Sequence, residues 1–407
     1  MKKPSARTLG CTAVAVCAVA AAVPFFLPDA TGTLADAPGH AHVPPARISF
    51  SLPDGSSGIR PSQTPVVSVT GGHLVSVTME PRSGAGAAGT LSPDRAEWTA
   101  SGPLALGTDY TLHAVAEGAG GAPVSRDASF ATLPASQALR ATVTPAASAT
   151  VGVGMPVSVQ FDKPVRNERA VEEAVEVTAS SGQQVTGHWF GPRRLDFRPQ
   201  TFWKPRTTVR VRLALDGVTA APGAVGVQDR SVGFTVGRSQ ISTVDAATST
   251  MTVVRSGRTL KELPVTTGDA EHATYNGTMV ISSKSLRARM NGATVGLLGP
   301  DGEPAYDIPD VPHAMRLTTS GTFVHGNYWA APSVFGTSNT SHGCIGLRDV
   351  KGGADPKTPA AWFYDNSLVG DVLVVKNSAG GGTVKASNGL SDWNLSWSQW
   401  KAGSALV

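Results

Sequence analysis

Cysteine is scarce: the 407 residues hold three, and Cys11 and Cys17 both fall in an N-terminal apolar stretch. Cys344 therefore stands alone in the remaining chain, which excludes a disulfide-built fold there and leaves either a buried passenger or a retained nucleophile. Charge is scarce too, at 16% Asp, Glu, Lys and Arg against roughly 25% in an average soluble domain. The net charge of +4 is too slight for a nucleic-acid binder and tolerates an anionic neighbour. No long apolar run follows residue 27 and the mean hydropathy is −0.03, so a multi-span membrane protein is excluded. With 41% hydrophobic residues, a wholly disordered chain is excluded as well. What is abundant is glycine, at 45, and proline, at 29, which favours turn-rich β architecture over helix bundles. At roughly 150 residues per domain, the length predicts two to three domains.

Lys2, Lys3 and Arg7 precede an apolar run from Cys11 to Leu27 that Pro24 interrupts. Residues 1–28 thus read as an export signal, cleaved or kept as a single-pass anchor. The lipobox-like Leu9-Gly10-Cys11 has its apolar run on the wrong side, so no lipidation is expected at Cys11. Residues 29–47 are small and Pro-rich and read as a linker. The rest of the chain is expected to work outside the cytoplasm, at the cell wall or the outer face of the membrane, touching lipid only through an uncleaved N-terminus.

Residues 48–136 and 137–238 alternate short β-prone runs with Gly, Pro, Asp and Ser, and each predicts an Ig-like β-sandwich. The runs around Trp98, Tyr110 and Phe130 recur in order around Phe197, Val209 and Phe234, an offset of about 100 residues that signals duplication. Neither copy carries a catalytic constellation. Arg193, Arg194 and Arg198 lie in a basic stretch interleaved with Phe197, Phe202 and Trp203. Its plain reading is a solvated strand face; its functional reading is a platform for anionic wall polymers.

Residues 239–378 change texture, opening with a β-meander and leading to two linked runs, Gly321-Thr-Phe-Val-His325-Gly326 and Ser341-His342-Gly343-Cys344. An ordinary thiol is only slightly ionised at neutral pH, so a nucleophilic Cys344 needs a base. His325, at a strand end with an open carbonyl behind it, can supply one. Gly343 allows a sharp turn in which neighbouring N–H groups converge on a developing oxyanion. Two histidines and one cysteine could ligate zinc or copper, but no fourth ligand lies at a recognisable spacing, so neither metal nor cofactor is expected. His113, His188, His272 and His313 read as structural or surface residues. In the tail, residues 379–407, Trp393, Trp397 and Trp400 share one face and are expected to pack back on the body of the protein, with a sugar-stacking surface as the alternative.

His325, fifteen intervening residues and Ser341-His342-Gly343-Cys344 resemble the active-site signature of the L,D-transpeptidases of YkuD fold. Thr267-Gly268, Trp362-Phe363-Tyr364-Asp365 and Gly370-Asp371-Val-Leu-Val-Val375 extend the likeness over 239–378, and the paired sandwiches resemble those of large actinobacterial members. The resemblance implies a mainly β protein, with two Ig-like sandwiches, a YkuD-type β-sandwich catalytic domain with a short helix, and a tail. It implies an acyltransferase that attacks a tetrapeptide stem of peptidoglycan, releases D-Ala, forms a thioester and makes a 3→3 cross-link, and that carbapenems acylate. Carried over, Cys344 is the nucleophile, His325 the base, Gly326 the carbonyl that orients it, and His342 a pocket wall. Gly343 and Ser341 complete the loop. Tyr306 stands where the family often keeps a lid tyrosine whose hydroxyl assists, and Met290 and Trp329 resemble apolar residues lining the substrate cleft, with ordinary packing as the alternative for all three. Gly346 replaces the family's usual Asn or Arg, which leaves substrate contacts there open, and Gly326 replaces a frequent Ser. An L,D-carboxypeptidase, or a non-catalytic wall-binding adapter, would carry much of the same sequence; a monomer is expected.

Overall fold

The computed structural model describes residues 45–407. The leader, Cys11, Cys17 and nearly all of the linker lie outside the described residues. Strand Arg47–Phe50 is the first element among the described residues, one residue before the boundary placed at Ile48.

Period-two patterning builds the sandwiches. Strand Asp109–Gly118 buries Tyr110, Leu112, Ala114 and Ala116 and turns Asp109, Thr111 and His113 outward. One sheet of the first sandwich runs Arg47–Phe50, Val66–Thr70, Glu97–Ala100, Gly89–Leu91; the other runs Ser56–Ile59, Pro123–Thr132, Asp109–Gly118, Gly72–Pro81. In the second, the orders are Ala141–Thr144, Val157–Phe161, Arg194–Pro199, Val185–Trp189 and Thr150–Val151, Asp229–Val236, Thr208–Ala214, Val175–Ala179. Strand for strand the order is the same, including the one parallel pair that starts the second sheet of each copy. The repeat legible in the sequence is therefore a repeat of topology.

The second copy is joined closely to the C-terminal part of the chain. Its Gly152 and Gly154 donate to the carbonyls of Val369 and Gly370 at 2.8 and 2.9 Å, and a Cβ on either glycine would overlap residues 370–372. Its core is continuous with Val280, Val372 and Leu390. The tail completes the joint: helix Trp397–Lys401, closed at its start by a Ser396–Gln399 capping box, drives Trp400 into the second sandwich. There the Trp400 indole donates to Thr186 O at 2.9 Å and stacks on His188. The Arg198 guanidinium sits 4.6, 5.6 and 4.3 Å from the ring centres of Trp393, Trp397 and Trp400.

This corrects the reading of the arginine stretch. Arg198 is 2% exposed, and Arg194 is paired with Asp196 and Asp392, so of the three only Arg193 faces solvent. The strand face that would have been wet is covered by the tail. A platform built on Arg193, Arg194 and Arg198 together does not exist.

Residues beyond Arg238 form a nine-stranded sheet, ordered Gly277–Val280, Val372–Lys376, Gln240–Asp245, Thr250–Arg255, Arg258–Thr266, Ile345–Arg348, Phe323–Asn327, Asp307–Arg316, Ser283–Asn291. Strand Arg258–Thr266 serves both halves, pairing with Thr250–Arg255 along its length and with Leu347 and Gly346 at its end. One core of Val244, Met251, Val265, Met315, Val324, Ile345 and Leu373 lies between the halves. Helix Pro359–Asp365 covers it, with Thr358 as N-cap and Pro359 in the first turn.

Candidate active site

Two adjacent parallel strands position the chemistry. Phe323–Asn327 and Ile345–Arg348 pair with Val324 opposite Ile345 and His325 opposite Gly346. Parallel neighbours need a crossover, and here it is the segment 328–344. The crossover delivers Cys344 to the start of one strand while His325 stands in the other. Its last turn is fixed to the end of strand Arg258–Thr266: Thr340 N–H donates to Thr266 Oγ1 at 3.1 Å and Ser341 N–H to Thr267 O at 3.0 Å. Gly343 has φ +101°, open to glycine alone, and its N–H reaches Ser341 Oγ at 3.2 Å. Ser341 Oγ in turn donates to Cys344 O at 2.6 Å. The Gly343 amide is thus engaged within the loop.

Cys344 and His325 open on one cavity of about 400 Å³. Met290, Tyr306 and Trp329, placed at the cleft by sequence, all line it, as does His342. His325 Nδ1 lies 3.0 Å from Gly326 O. A carbonyl only accepts, so Nδ1 carries the ring proton and Nε2 keeps its lone pair. Trp329 stacks on the imidazole at 5.6 Å and 15° between planes. Burial pushes the Cys344 thiol up to about 11, with the Phe323 N–H and the Arg316 charge pulling the other way. Burial also pushes His325 below its ordinary value, against the Gly326 carbonyl and the Asp349 carboxylate. Both shifts favour the uncharged thiol and the uncharged imidazole.

Gly326 is required for a reason the sequence does not display. A Cβ there would collide with the Asp349 carboxylate, which is buried and accepts from His313 Nδ1 at 2.7 Å and from Thr358 Oγ1 at 3.0 Å. A serine side chain at this position and the Asp349 carboxylate exclude each other, while the backbone carbonyl of Gly326 still meets His325 Nδ1. His313, read as structural, is the buried partner of that carboxylate.

Gly346 does not line the cavity. A Cβ on it would press against Thr266 Cγ2 at 2.8 Å and Asn327 at 3.4 Å. Asn327 stands beside it, lines the cavity, and accepts from the Trp329 and Ala330 N–H groups at 3.2 and 3.0 Å. The sequence reading missed Asn327, although it follows His325 by two and so shares its strand face.

A second cavity of about 220 Å³ lies beside Gly321 and Gly343, with Tyr306 and His342 as walls common to both. The Cys344 thiol, in the wall of the first cavity, points toward the carbonyl of Gly321, a residue of the second cavity's wall, at 3.6 Å. His272, read as surface or structural, lines this second cavity with its ring 4.7 Å from that of His342. Among the described residues no group of three or more His, Cys, Asp and Glu is gathered to hold a metal.

Residues 239–375 match a family model described as the L,D-transpeptidase catalytic domain, and residues 56–219 match one described as a bacterial Ig domain. L,D-transpeptidase 2 of Mycobacterium tuberculosis is 34% identical over 359 residues, 88% of this chain and 85% of that protein. L,D-transpeptidase 5 of the same organism is 29% identical over 371 residues, 89% and 78% of the two chains. The solved structure of the L,D-transpeptidase LdtMt1 in complex with imipenem aligns at 31% identity and a TM-score of 0.48, over 59% of this chain and 99% of that one. Sequence likeness along nearly the whole length, with a cysteine and a histidine facing one cavity, places this chain in the L,D-transpeptidase family, as an enzyme of transpeptidase type.

Proposed function

We propose that this protein is an exported peptidoglycan L,D-transpeptidase that forms 3→3 cross-links through a thioester on Cys344. The observation that carries the reading is the single cavity shared by Cys344 and a His325 whose Nδ1 is held by Gly326 O at 3.0 Å. Nε2 takes the thiol proton as sulfur attacks the carbonyl between diaminopimelate and D-Ala of a tetrapeptide stem. The oxyanion is met by the amides of His342 and Cys344. The imidazolium then protonates the departing D-Ala amine, leaving a thioester and a neutral His325. Met290, Tyr306 and Trp329 give the donor stem an apolar wall, and a second stem's side-chain amine resolves the thioester. The chain acts outside the cytoplasm, consistent with the basic and apolar start of its sequence.

A carbapenem tests the nucleophile, because its strained carbonyl acylates an active thiol without an acceptor. Intact-mass measurement is expected to show one covalent adduct on the wild type and none on Cys344→Ala. A wild type that takes no adduct would leave the wall-binding adapter as the better reading.

A further inference from the structure

We propose that His272, oriented by Asp269, is a second general base that serves the incoming acceptor amine from the side of the thioester opposite the His325 cavity. This rests on the transpeptidase reading and deepens it.

The proton count motivates it. A stem side-chain amine is an ammonium near neutral pH. It must lose one proton before it can attack and a second as the amide forms. His325, neutral again after D-Ala departs, handles the second: the C–N bond forms, the C–S bond breaks, and that proton ends on the leaving sulfur through His325. The first needs another acceptor. Water needs none, because it attacks with a free lone pair and the product acid ionises afterwards.

The structure supplies a group where this acceptor is wanted. With the donor stem in the larger cavity, the acceptor is assigned to the second cavity, whose wall includes Gly321, the residue whose carbonyl the Cys344 thiol meets at 3.6 Å, and Gly343, the neighbour of Cys344. His272 lines that approach. Its Nδ1 lies 3.2 Å from Asp269 Oδ1, which fixes the ring proton there and leaves Nε2 basic. Asp269 Oδ1 also accepts the backbone N–H groups of His272 at 2.7 Å and Glu271 at 3.0 Å. Burial works against the Asp269 carboxylate, but these partners outweigh it and hold the group below its ordinary range. The turn is tied to the nucleophile loop itself: Asp269 N–H donates to Ser341 O at 2.9 Å. A carboxylate behind an imidazole both attracts an ammonium and takes its proton. The other titratable groups around His272 are Glu271 in its own turn, His342 in the nucleophile loop, and Tyr275 and Tyr306 in the cavity walls.

The test measures the ratio of cross-linked dimer to hydrolysed tripeptide from a tetrapeptide stem, by mass spectrometry, beside the rate of carbapenem acylation. For His272→Gln the dimer-to-tripeptide ratio is expected to fall at least about ten-fold at pH 7 and to recover toward about pH 10, where the amine arrives uncharged. Asp269→Asn is expected to shift the ratio the same way by less. An unchanged ratio in His272→Gln overturns the proposal, and so does an equal fall of dimer, tripeptide and acylation, which would assign a structural role. A wild type that yields tripeptide alone sinks the transpeptidase reading and this proposal with it; wild-type dimer with an unmoved ratio in the variant sinks the proposal only.

Discussion

The Cys344–His325 pair and the Arg194–Asp196–Arg198–Asp392 cluster under the tail are both buried and polar, and in each there are groups displaced from their ordinary ionisation, Arg194, Arg198 and Asp392 in the second, yet only one is built for chemistry. Under the tail, burial and the neighbouring Asp196 push the Asp392 carboxyl well up, against Arg194 and Arg198, while burial lowers Arg198 to about 10. Those perturbations rival any at Cys344. What differs is what the groups face. Arg198 is enclosed by three indoles and the carbonyls of Asp392 and Leu395, at 3.4 and 3.0 Å, and neither cavity of the active site reaches it. His325 has one nitrogen held and the other open to a cavity large enough for a peptide. A shifted ionisation marks a strained electrostatic environment; an unengaged lone pair on a reachable surface marks a reagent.

The comparison breaks if either cluster does the other's work. His325→Gln keeps size and polarity but cannot take the thiol proton, and its carbapenem acylation rate is expected to fall about 10²–10⁴-fold with stability little changed. Trp400→Ala leaves a large void at the joint and is expected to cost about 3–5 kcal/mol in chemical denaturation. Its acylation rate per folded molecule should stay within about two-fold of wild type, because no tail residue touches the cavity. A Trp400→Ala protein that is stable but slow to acylate would mean that the joint sets the geometry of the site, and the two clusters would no longer be separable.

The sequence displayed what is local. Alternation marked the strands, the two aromatic series marked the duplication, and the spacing from His325 to Cys344 marked the resemblance to the family. Contacts set by register were hidden. That Gly346 stands opposite His325, with Asn327 in the space beside it, results from pairing two strands whose partners lie about twenty residues apart. That position 326 must be glycine is dictated by a carboxylate twenty-three residues onward, and that carboxylate is placed by His313 and the cap of a helix. Arg198 looked solvated because its own strand is rich in charge; the tail that buries it lies nearly two hundred residues later. His272 carried no local signal, since its meaning depends on a turn that bonds back to Ser341.

Asp392 gives the finest test of what the tail cluster is for. The folded protein holds its proton at a pH where the unfolded chain, with an ordinary carboxyl near 3.9, has released it. The folded state therefore binds more protons over that window, and this residue's contribution is fully present below about pH 4 and is lost as pH rises through its raised folded value. Its Oδ2 and the Asp196 Oδ1 are buried without hydrogen-bond partners among the described residues. Asp392→Asn has the shape of the protonated acid and cannot ionise. Its denaturation midpoint is expected to match wild type near pH 4 and to rise above it progressively toward pH 7. Curves that stay parallel across that range would mean that Asp392 is ionised in the fold, and that the joint is an ion-pair network in which Arg194 and Arg198 neutralise both carboxylates.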